Sequence, residues 1–539
     1  MSERRDPVPI RSARSPGIWA ILLLAIIFTG LPRALILPLS AIHLDENIYA
    51  LVGRDAARGI MPLDGAFDHK PVLIYYLYAL PQLLFGETPH AIRTLSIAVG
   101  VIAATLFGLF CREAISRDRT VVFTATIAFA SLSNLSRGLA THPELVMILL
   151  LVAVWLLMTR IPDRGTPVGV LLGIGALWGA AFQVNYLTAF LILAFCLDYL
   201  IIRLRADRLA RALRNYLLHG AIIFAGFLTS FLALLLPIQI WGDVGGYFAA
   251  QFGYLSEYGI DRSLGRVLAD LPKVSRDYAV LSAAVLAALA VGVRAMLSRR
   301  PWQGDTETAV LVGRMMIYIA ICTFAIVLNG RTHDKYILLL LPSALTILIA
   351  ALALLPDRTD AKLFFCTWLV FFGVIALEKE RILLKQGVAG YVNMARGAPA
   401  DTLDAISRYI RRDLPPGGTI YVYDYPSMLY LSTGVVAPTR FPWSLHHLDE
   451  SLARAVGISR EEEMTAILDR RPAFVVAGSD PEEGRFTISS RLLAERLRSD
   501  YTLAATFQDD IFRQTVSAFG ENVPVGGRDG QVRVYRRID

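Results

Sequence analysis

Cysteine is scarce in this chain: four in 539 residues, none after Cys366. Cys111, Cys196, Cys322 and Cys366 all lie in or beside apolar stretches, with no spacing that suggests a disulfide framework or a metal knuckle. Charge is scarce too. Asp, Glu, Lys and Arg make up 18% of the chain, against roughly 25% in soluble domains. No G-x-G-x-x-G and no P-loop occurs, so the common dinucleotide and nucleoside triphosphate cradles are missing. The length would allow about three or four soluble domains. An apolar content of 55% and a mean hydropathy of +0.50 exclude that and indicate a polytopic membrane protein. The net charge of +7 does not point to nucleic acid, because the excess arginine falls in short loops between apolar segments, where it sets topology.

The shortage of charge is confined to one part. Residues 1–379 are about 15% charged, whereas residues 380–539 are about a quarter charged, a soluble-domain density. The expected organisation is a transmembrane domain over 1–379 and a soluble α/β domain over 380–539.

Residues 18–40 form a mostly apolar stretch that would span about 34 Å as a helix. It follows Arg4, Arg5, Arg11 and Arg14 and is too long for a cleaved signal peptide, so it is read as an uncleaved first span with the N-terminus in the cytoplasm. Ten more spans are expected near 88–111, 120–136, 143–159, 168–182, 184–202, 216–240, 278–297, 311–329, 335–355 and 361–377. Arginine-rich loops, such as that with Arg203, Arg205, Arg208, Arg211 and Arg214, alternate with the opposite loops 41–87, 136–142, 241–277 and 329–334. With eleven spans the tail lies outside. Residues 71–86, PVLIYYLYALPQLLFG, are short for a span and read as an interfacial helix with tyrosines at headgroup level. The other reading, a short tilted span, would reverse every later loop. In the tail, residues 419–434 read as strand, turn and short helix. Residues 472–478 read as a buried strand, 485–499 as a helix and 532–537 as a closing strand.

The outer loops hold the chemistry. The first begins HLDENIYA, with Asp45 and Glu46, and ends FDHKPVLIYY, with Asp68, His69 and Lys70. The second supplies Arg137, His142 and Glu144, a carboxylate at the mouth of a span. A later loop reads NGRTHDKYILLLLP, with Arg331, His333, Lys335 and Tyr336. Cations at a membrane surface can hold a phosphate, and a carboxylate can take the proton of an acceptor hydroxyl. The blander reading is that Asp45 caps a following helix and Lys335 snorkels.

The order is a first span, LDExxY, an acidic residue before H-K-P and an aromatic-rich helix. Then come Arg93 in PHAIRTLS, the acidic residue of HPEL, and a late H-x-K-Y-I-L-L-L-L-P. Together these resemble the GT-C superfamily of polyprenyl-phosphate-sugar-dependent glycosyltransferases. The bacterial aminoarabinose and galacturonic acid transferases and the protein O-mannosyltransferase-like group are its nearest branches. The resemblance covers about residues 18–380, and the tail also looks like the outer α/β domain of such proteins. It implies Asp45 as general base or metal-associated carboxylate, with Glu46 and Asp68 as further catalytic carboxylates. It places His69, Lys70, Arg331, His333, Lys335 and Tyr336 around the donor phosphate, and Glu144 at the second-loop acidic position. His69 departs from the Glu that aminoarabinose transferases carry before Lys-Pro. Arg93 is read as structural, pairing with a first-loop carboxylate. The metal is left open, with a divalent cation, Mg²⁺ or Mn²⁺, as the candidate.

The expected protein is thus an about eleven-span, GT-C-like enzyme of the bacterial inner membrane with a periplasmic α/β tail. It would move a sugar from a polyprenyl-phosphate donor, with inversion, to a lipid, glycan or protein acceptor. The rival class is a lipid or polysaccharide transporter or flippase. Against it, no paired halves with broken helices are visible, and the polar groups gather at one surface.

Overall fold

The computed structural model describes residues 15–135, 138–161, 166–258, 279–297, 306–328, 334–355, 360–482, 487–509 and 530–538, with three isolated positions between 265 and 272. Every expected span coincides with a helix. α1, Ile18–Leu35, includes a π-helical turn at Ile26–Gly30. There follow α2 (Leu44–Ala57), α3 (Val72–Phe85), α4 (Pro89–Ala114), α5 (Arg119–Leu132) and α6 (Pro143–Met158). Next are α7 (Val168–Phe182), α8 (Thr188–Ala206), α9 (Leu209–Trp241), α10 (Val244–Tyr258), α11 (Ala279–Leu297) and α12 (Thr306–Leu328). A 3₁₀ turn, Asp334–Leu340, leads into α13 (Leu341–Ala353), followed by α14 (Asp360–Lys379). Among the described residues, five segments are long and apolar enough to cross a membrane: Ile18–Leu35, Pro89–Ala114, Leu209–Trp241, Glu307–Leu328 and Lys335–Ala353. The short apolar segment 71–86 forms the helix α3, which packs on α2.

Small residues bring the spans together where no hydrophobic drive acts between them. α7 and α9 are so close that a Cβ on Gly175 would lie 1.9 Å from the Ile223 carbonyl oxygen, and one on Gly226 2.3 Å from that of Leu172. Arg33 is buried in α1, where its guanidinium donates to the carbonyls of Ser133 (3.1 Å) and Gly138 (2.7 Å). A buried cation is tolerated when most of its donors are bonded; here both terminal nitrogens are bonded while Nε has no partner among the described residues, and the bonds to Ser133 and Gly138 tie α1 to the segment that leads to His142.

After the last span, α15 (Arg381–Ala395) leans on the end of α1, with the Tyr391 hydroxyl donating to the Ala34 carbonyl at 2.8 Å. The compact α/β unit starts with α16 (Thr402–Asp413), whose cap Asp401 accepts from the Asp404 N–H at 2.8 Å. It continues through β1 (Ile420–Tyr423), α17 (Met428–Thr433), α18 (Leu445–Leu448), α19 (Glu450–Ala455), α20 (Arg460–Asp469) and β2 (Phe474–Ala477). It closes with α21 (Ile488–Asp500), β3 (Tyr501–Gln508) and β4 (Gln531–Arg537). The sheet order is β1-β2-β4-β3. β1 and β2 are parallel, with Ile420 opposite Phe474, and the other pairs are antiparallel. The strand, turn and short helix expected over 419–434 are all present, with Asp424 in the turn at φ 48°.

Candidate active site

Three elements meet beyond the C-terminal end of α1. α2 begins at His43, whose Nδ1 accepts the Asp45 N–H at 3.2 Å, so the chain leaves α1 and turns at once into a helix with Asp45 in its first turn. The segment 138–144, held by Arg33, brings in His142 and Glu144. The 3₁₀ turn brings in Lys335, whose ammonium is ion-paired with Asp45 Oδ2.

The His43 and His142 rings meet edge to face with centroids 4.3 Å apart. Ligand-capable atoms of His43, Asp45 and His142 all lie within 4.8 Å of one another. Burial alone would raise the Asp45 pKa, but Lys335, His43 and His142 outweigh it and hold the carboxyl well below its usual range. Glu144, in the first turn of α6, is 1% exposed, and its Oε2 has no hydrogen-bond partner among the described residues.

The second half of the first loop forms an adjoining cluster. The Tyr75 hydroxyl donates to Asp68 Oδ2 at 2.9 Å, and Asp68 Oδ1 is 3.2 Å from His69 Nδ1. Burial pushes Asp68 up, yet His69 and Lys70 beside it leave it below the ordinary carboxylate range. The His69 ring stacks on Tyr254 of α10, centroids 4.1 Å apart. The Lys70 backbone is clamped at both ends, its N–H donating to the Tyr75 oxygen at 2.8 Å and its carbonyl accepting from Gln251 Nε2 at 3.0 Å. Burial and the neighbouring Lys335 lower the Lys70 pKa, with Asp68, Glu144 and Asp45 opposing.

The tail closes over this loop. Phe67 N–H donates to the Arg440 carbonyl at 2.6 Å, and the Arg440 guanidinium donates to the Leu63 carbonyl at 2.6 Å. Arg54 donates to the Val435 carbonyl at 3.1 Å. His446 lies edge-on to Phe67 and Tyr254, at 6.1 and 6.4 Å between centroids.

Of the expected site residues, Asp45, Lys335, Lys70, Asp68, His69 and Glu144 thus fall in two adjoining clusters. Tyr336 is buried, with its ring centroid 6.0 Å from Lys335 Nζ. Arg331 and His333 lie outside the described residues. Glu46, expected beside Asp45 in catalysis, instead forms a fully buried ion pair with Arg93. Arg93 also donates to the carbonyls of Leu39 (3.3 Å) and Ser40 (3.2 Å). Its structural pairing with a first-loop carboxylate is therefore present. His43 was not singled out from the sequence. The signal was available, because a histidine stands two residues before the carboxylate in both loops, His43 before Asp45 and His142 before Glu144.

Two imidazoles and a carboxylate so close together suit a divalent cation. Imidazole favours Zn²⁺ and its neighbours over Mg²⁺. Among the described residues the donors gather at His43, Asp45 and His142.

Residues 69–248 match the family model described as dolichyl-phosphate-mannose-protein mannosyltransferase. No curated protein matches the sequence. In three dimensions the chain is similar to ArnT from Cupriavidus metallidurans bound to undecaprenyl phosphate, at 15% identity and TM-score 0.56, covering 96% of this chain and 98% of that one. It is also similar to the archaeal oligosaccharyltransferase AglB from Archaeoglobus fulgidus in complex with an inhibitory peptide and a dolichol-phosphate, at 13% identity and TM-score 0.50, covering 90% and 72%. A third similar structure is the Archaeoglobus fulgidus oligosaccharyltransferase complex with Zn and sulfate, at 12% identity and TM-score 0.52, covering 96% and 88%. The chain is a multi-pass membrane protein. Its fold is that of the GT-C glycosyltransferases, with a small C-terminal sheet domain.

Proposed function

We propose that this protein is a glycosyltransferase of the bacterial inner membrane. It moves a sugar from a polyprenyl-phosphate donor to a hydroxyl of an envelope lipid, glycan or protein on the periplasmic face. The observation that carries the reading is the Asp45–Lys335 ion pair beside Lys70, a base and two cations at the membrane edge of a GT-C fold. The acceptor oxygen attacks the anomeric carbon as the bond to the phosphate oxygen breaks, in one inverting step. Asp45 takes the acceptor's proton, and the polyprenyl phosphate leaves with the bonding pair. Lys335 and Lys70 stabilise that phosphate. In the structure Lys335 lies on Asp45; an arriving phosphate competes for the ammonium and frees the carboxylate to accept a proton. Alternatively His43, Asp45 and His142 would hold a divalent cation supplying Lewis-acid stabilisation of phosphate charge, with Asp45 then a ligand and not the base.

The test uses the purified full chain and a panel of undecaprenyl-phosphate-linked sugars, with release of undecaprenyl phosphate as the readout. Asp45→Asn keeps the shape but cannot accept the proton, so turnover should fall by about a hundredfold or more with normal insertion. Near-normal turnover by a well-expressed Asp45→Asn would remove Asp45 from this role. Orientation is tested separately by reporter fusions, which should place residue 208 inside and residues 60 and 450 outside. An outside signal at 208 overturns the periplasmic placement.

A further inference from the structure

α4 and α6 both set out from the candidate site, α4 with Arg93 near its start and α6 with Glu144 in its first turn. Their far ends, at Ala114 and Met158, enclose a second feature. Arg112 follows Arg93 by 19 residues on one unbroken helix, a rise of about 28 Å. That is close to the hydrocarbon thickness of a bilayer, about 30 Å, and α4 is long and apolar enough to cross one. A cleft of about 250 Å³ opens at this end, lined by Leu109, Arg112 and Glu113 of α4, Leu156 of α6, and Thr159 and Arg160 just beyond it. Its volume is far above the roughly 10–15 Å³ that admits one water.

The polar lining suits an anion. Arg112 is held in place, its Nε donating to Glu113 Oε1 at 2.9 Å and its Nη1 to the Pro16 carbonyl at 3.2 Å. Glu113 is shared with Arg117, 3.7 Å from its other oxygen, so its charge is answered from two sides. Arg160 is exposed, and its side chain has no hydrogen bond or ion pair among the described residues. Two guanidinium groups therefore face the cleft against one carboxylate that is already paired, an excess that matches a single negative charge. The Thr159 hydroxyl gives its proton to the Leu156 carbonyl at 2.7 Å, so what it has left to offer is an acceptor.

The apolar lining says what the anion is attached to. Ile102, Leu106 and Leu109 follow one another along α4, and Leu149, Ala153 and Leu156 along α6. Each set keeps a spacing of four and then three residues, one face of a helix, and none of the six is fully buried. Leu109 and Leu156 end these stripes in the cleft itself. A free anion has no use for two apolar stripes, whereas an acyl chain has. Basic pockets between spanning helices are recurrent seats for anionic lipid heads. We propose that the cleft seats one phospholipid with a single negative charge and a hydroxylated head, of the phosphatidylglycerol kind, at the surface opposite the site. Arg160 and Arg112 hold its phosphate, Thr159 accepts from a headgroup hydroxyl, and an acyl chain follows the stripes. The lipid ties together the far ends of two helices whose near ends carry Arg93 and Glu144.

The experiment uses the full-length protein purified in detergent. It is offered an equimolar mixture of phosphatidylglycerol and phosphatidylcholine with matched acyl chains, and native mass spectrometry reads the lipid retained. A phosphatidylglycerol carrying a diazirine on its acyl chain maps the contact. One phosphatidylglycerol should be retained in preference to phosphatidylcholine, and the diazirine should label peptides covering residues 102–113 and 149–160. Arg160→Gln removes a cation that holds nothing else and should weaken retention by about fivefold. Thr159→Trp, which fills the cleft from its exposed rim, should do likewise and carries the test if Arg160→Gln does not fold. Equal retention of the two lipids overturns the proposal, as does label confined to other peptides or retention unchanged in a folded variant. Displacement of the lipid by millimolar inorganic phosphate overturns it too, and would assign the cleft to a free phosphate group.

Discussion

Asp45 and Glu46 are neighbours in the first turn of α2, but a helix separates them by about 100°, and that rotation gives them different partners. Asp45 meets Lys335 with its side chain 23% exposed, and Glu46 meets Arg93 with both side chains fully buried. Removing one member of a buried pair leaves a charge without compensation, at a cost of about 3–5 kcal/mol. Glu46→Gln should therefore lower thermal stability sharply, while the surviving folded protein turns over within a few fold of wild type. Asp45→Asn should do the reverse. Unfolding and turnover measured on both variants would separate the roles, and a turnover loss in Glu46→Gln as deep as that of Asp45→Asn would contradict the division. The two carboxylates were legible in LDENIY as candidates. Their division of labour was not, because it depends on an arginine 47 residues away.

At the scale of elements, the apolar helices were legible because each carries a marked apolar run, although among the described residues five are long and apolar enough to cross a membrane. α2, α10 and β3 were not legible. α2 mixes charge and apolar residues on a helix buried by its neighbours rather than by lipid, and β3 is a mostly exposed edge strand whose pattern is burial-poor. Yet α2 sets the site, and its seat on α3 is tight. A Cβ on Gly53 would lie 2.7 Å from Tyr78 Cβ and 2.9 Å from the Tyr78 carbonyl carbon. α3 also carries Tyr75, which holds Asp68 and Lys70. Gly53→Ala must push the two helices apart, at about 1–3 kcal/mol for such overpacking. It should lower both the melting temperature and turnover, although Gly53 touches no group of the site. An unchanged melting temperature would mean that α2 and α3 have room to spare.

For the whole molecule, the tail was legible as a separate α/β domain by its charge density, but not as part of the site. Its docking contacts, such as Arg440 on Leu63 and Arg54 on Val435, join residues more than 370 positions apart. The docked face has a chemical signature that can be tested. Burial drives the His446 pKa down to about 3, aided by His447 and His69 with Asp68 opposing, and drives His447 down to about 4. An unfolded histidine titrates near 6.5. Below that pH the unfolded chain takes up protons that the folded face refuses, so stability is fully present above pH 6.5 and is lost as pH falls towards 4 and 3. Each histidine contributes about 1.4 kcal/mol per pH unit within that window. Asp68, held below its usual range, loses its contribution only at lower pH and does not blur the region from 6.5 to 5. The melting temperature of the tail, followed by hydrogen exchange of peptides from residues 420–477, should therefore be flat above pH 7 and fall by several degrees between 6.5 and 5. His446→Phe offers an apolar ring to the same aromatic surroundings, Phe67, Phe441, Trp443 and Tyr254. It should keep the melting temperature at pH 8 and reduce the acid slope, with His447 and the likewise buried His69 supplying the remainder. An undiminished slope in a well-folded His446→Phe would show that this histidine is not held neutral in the docked face.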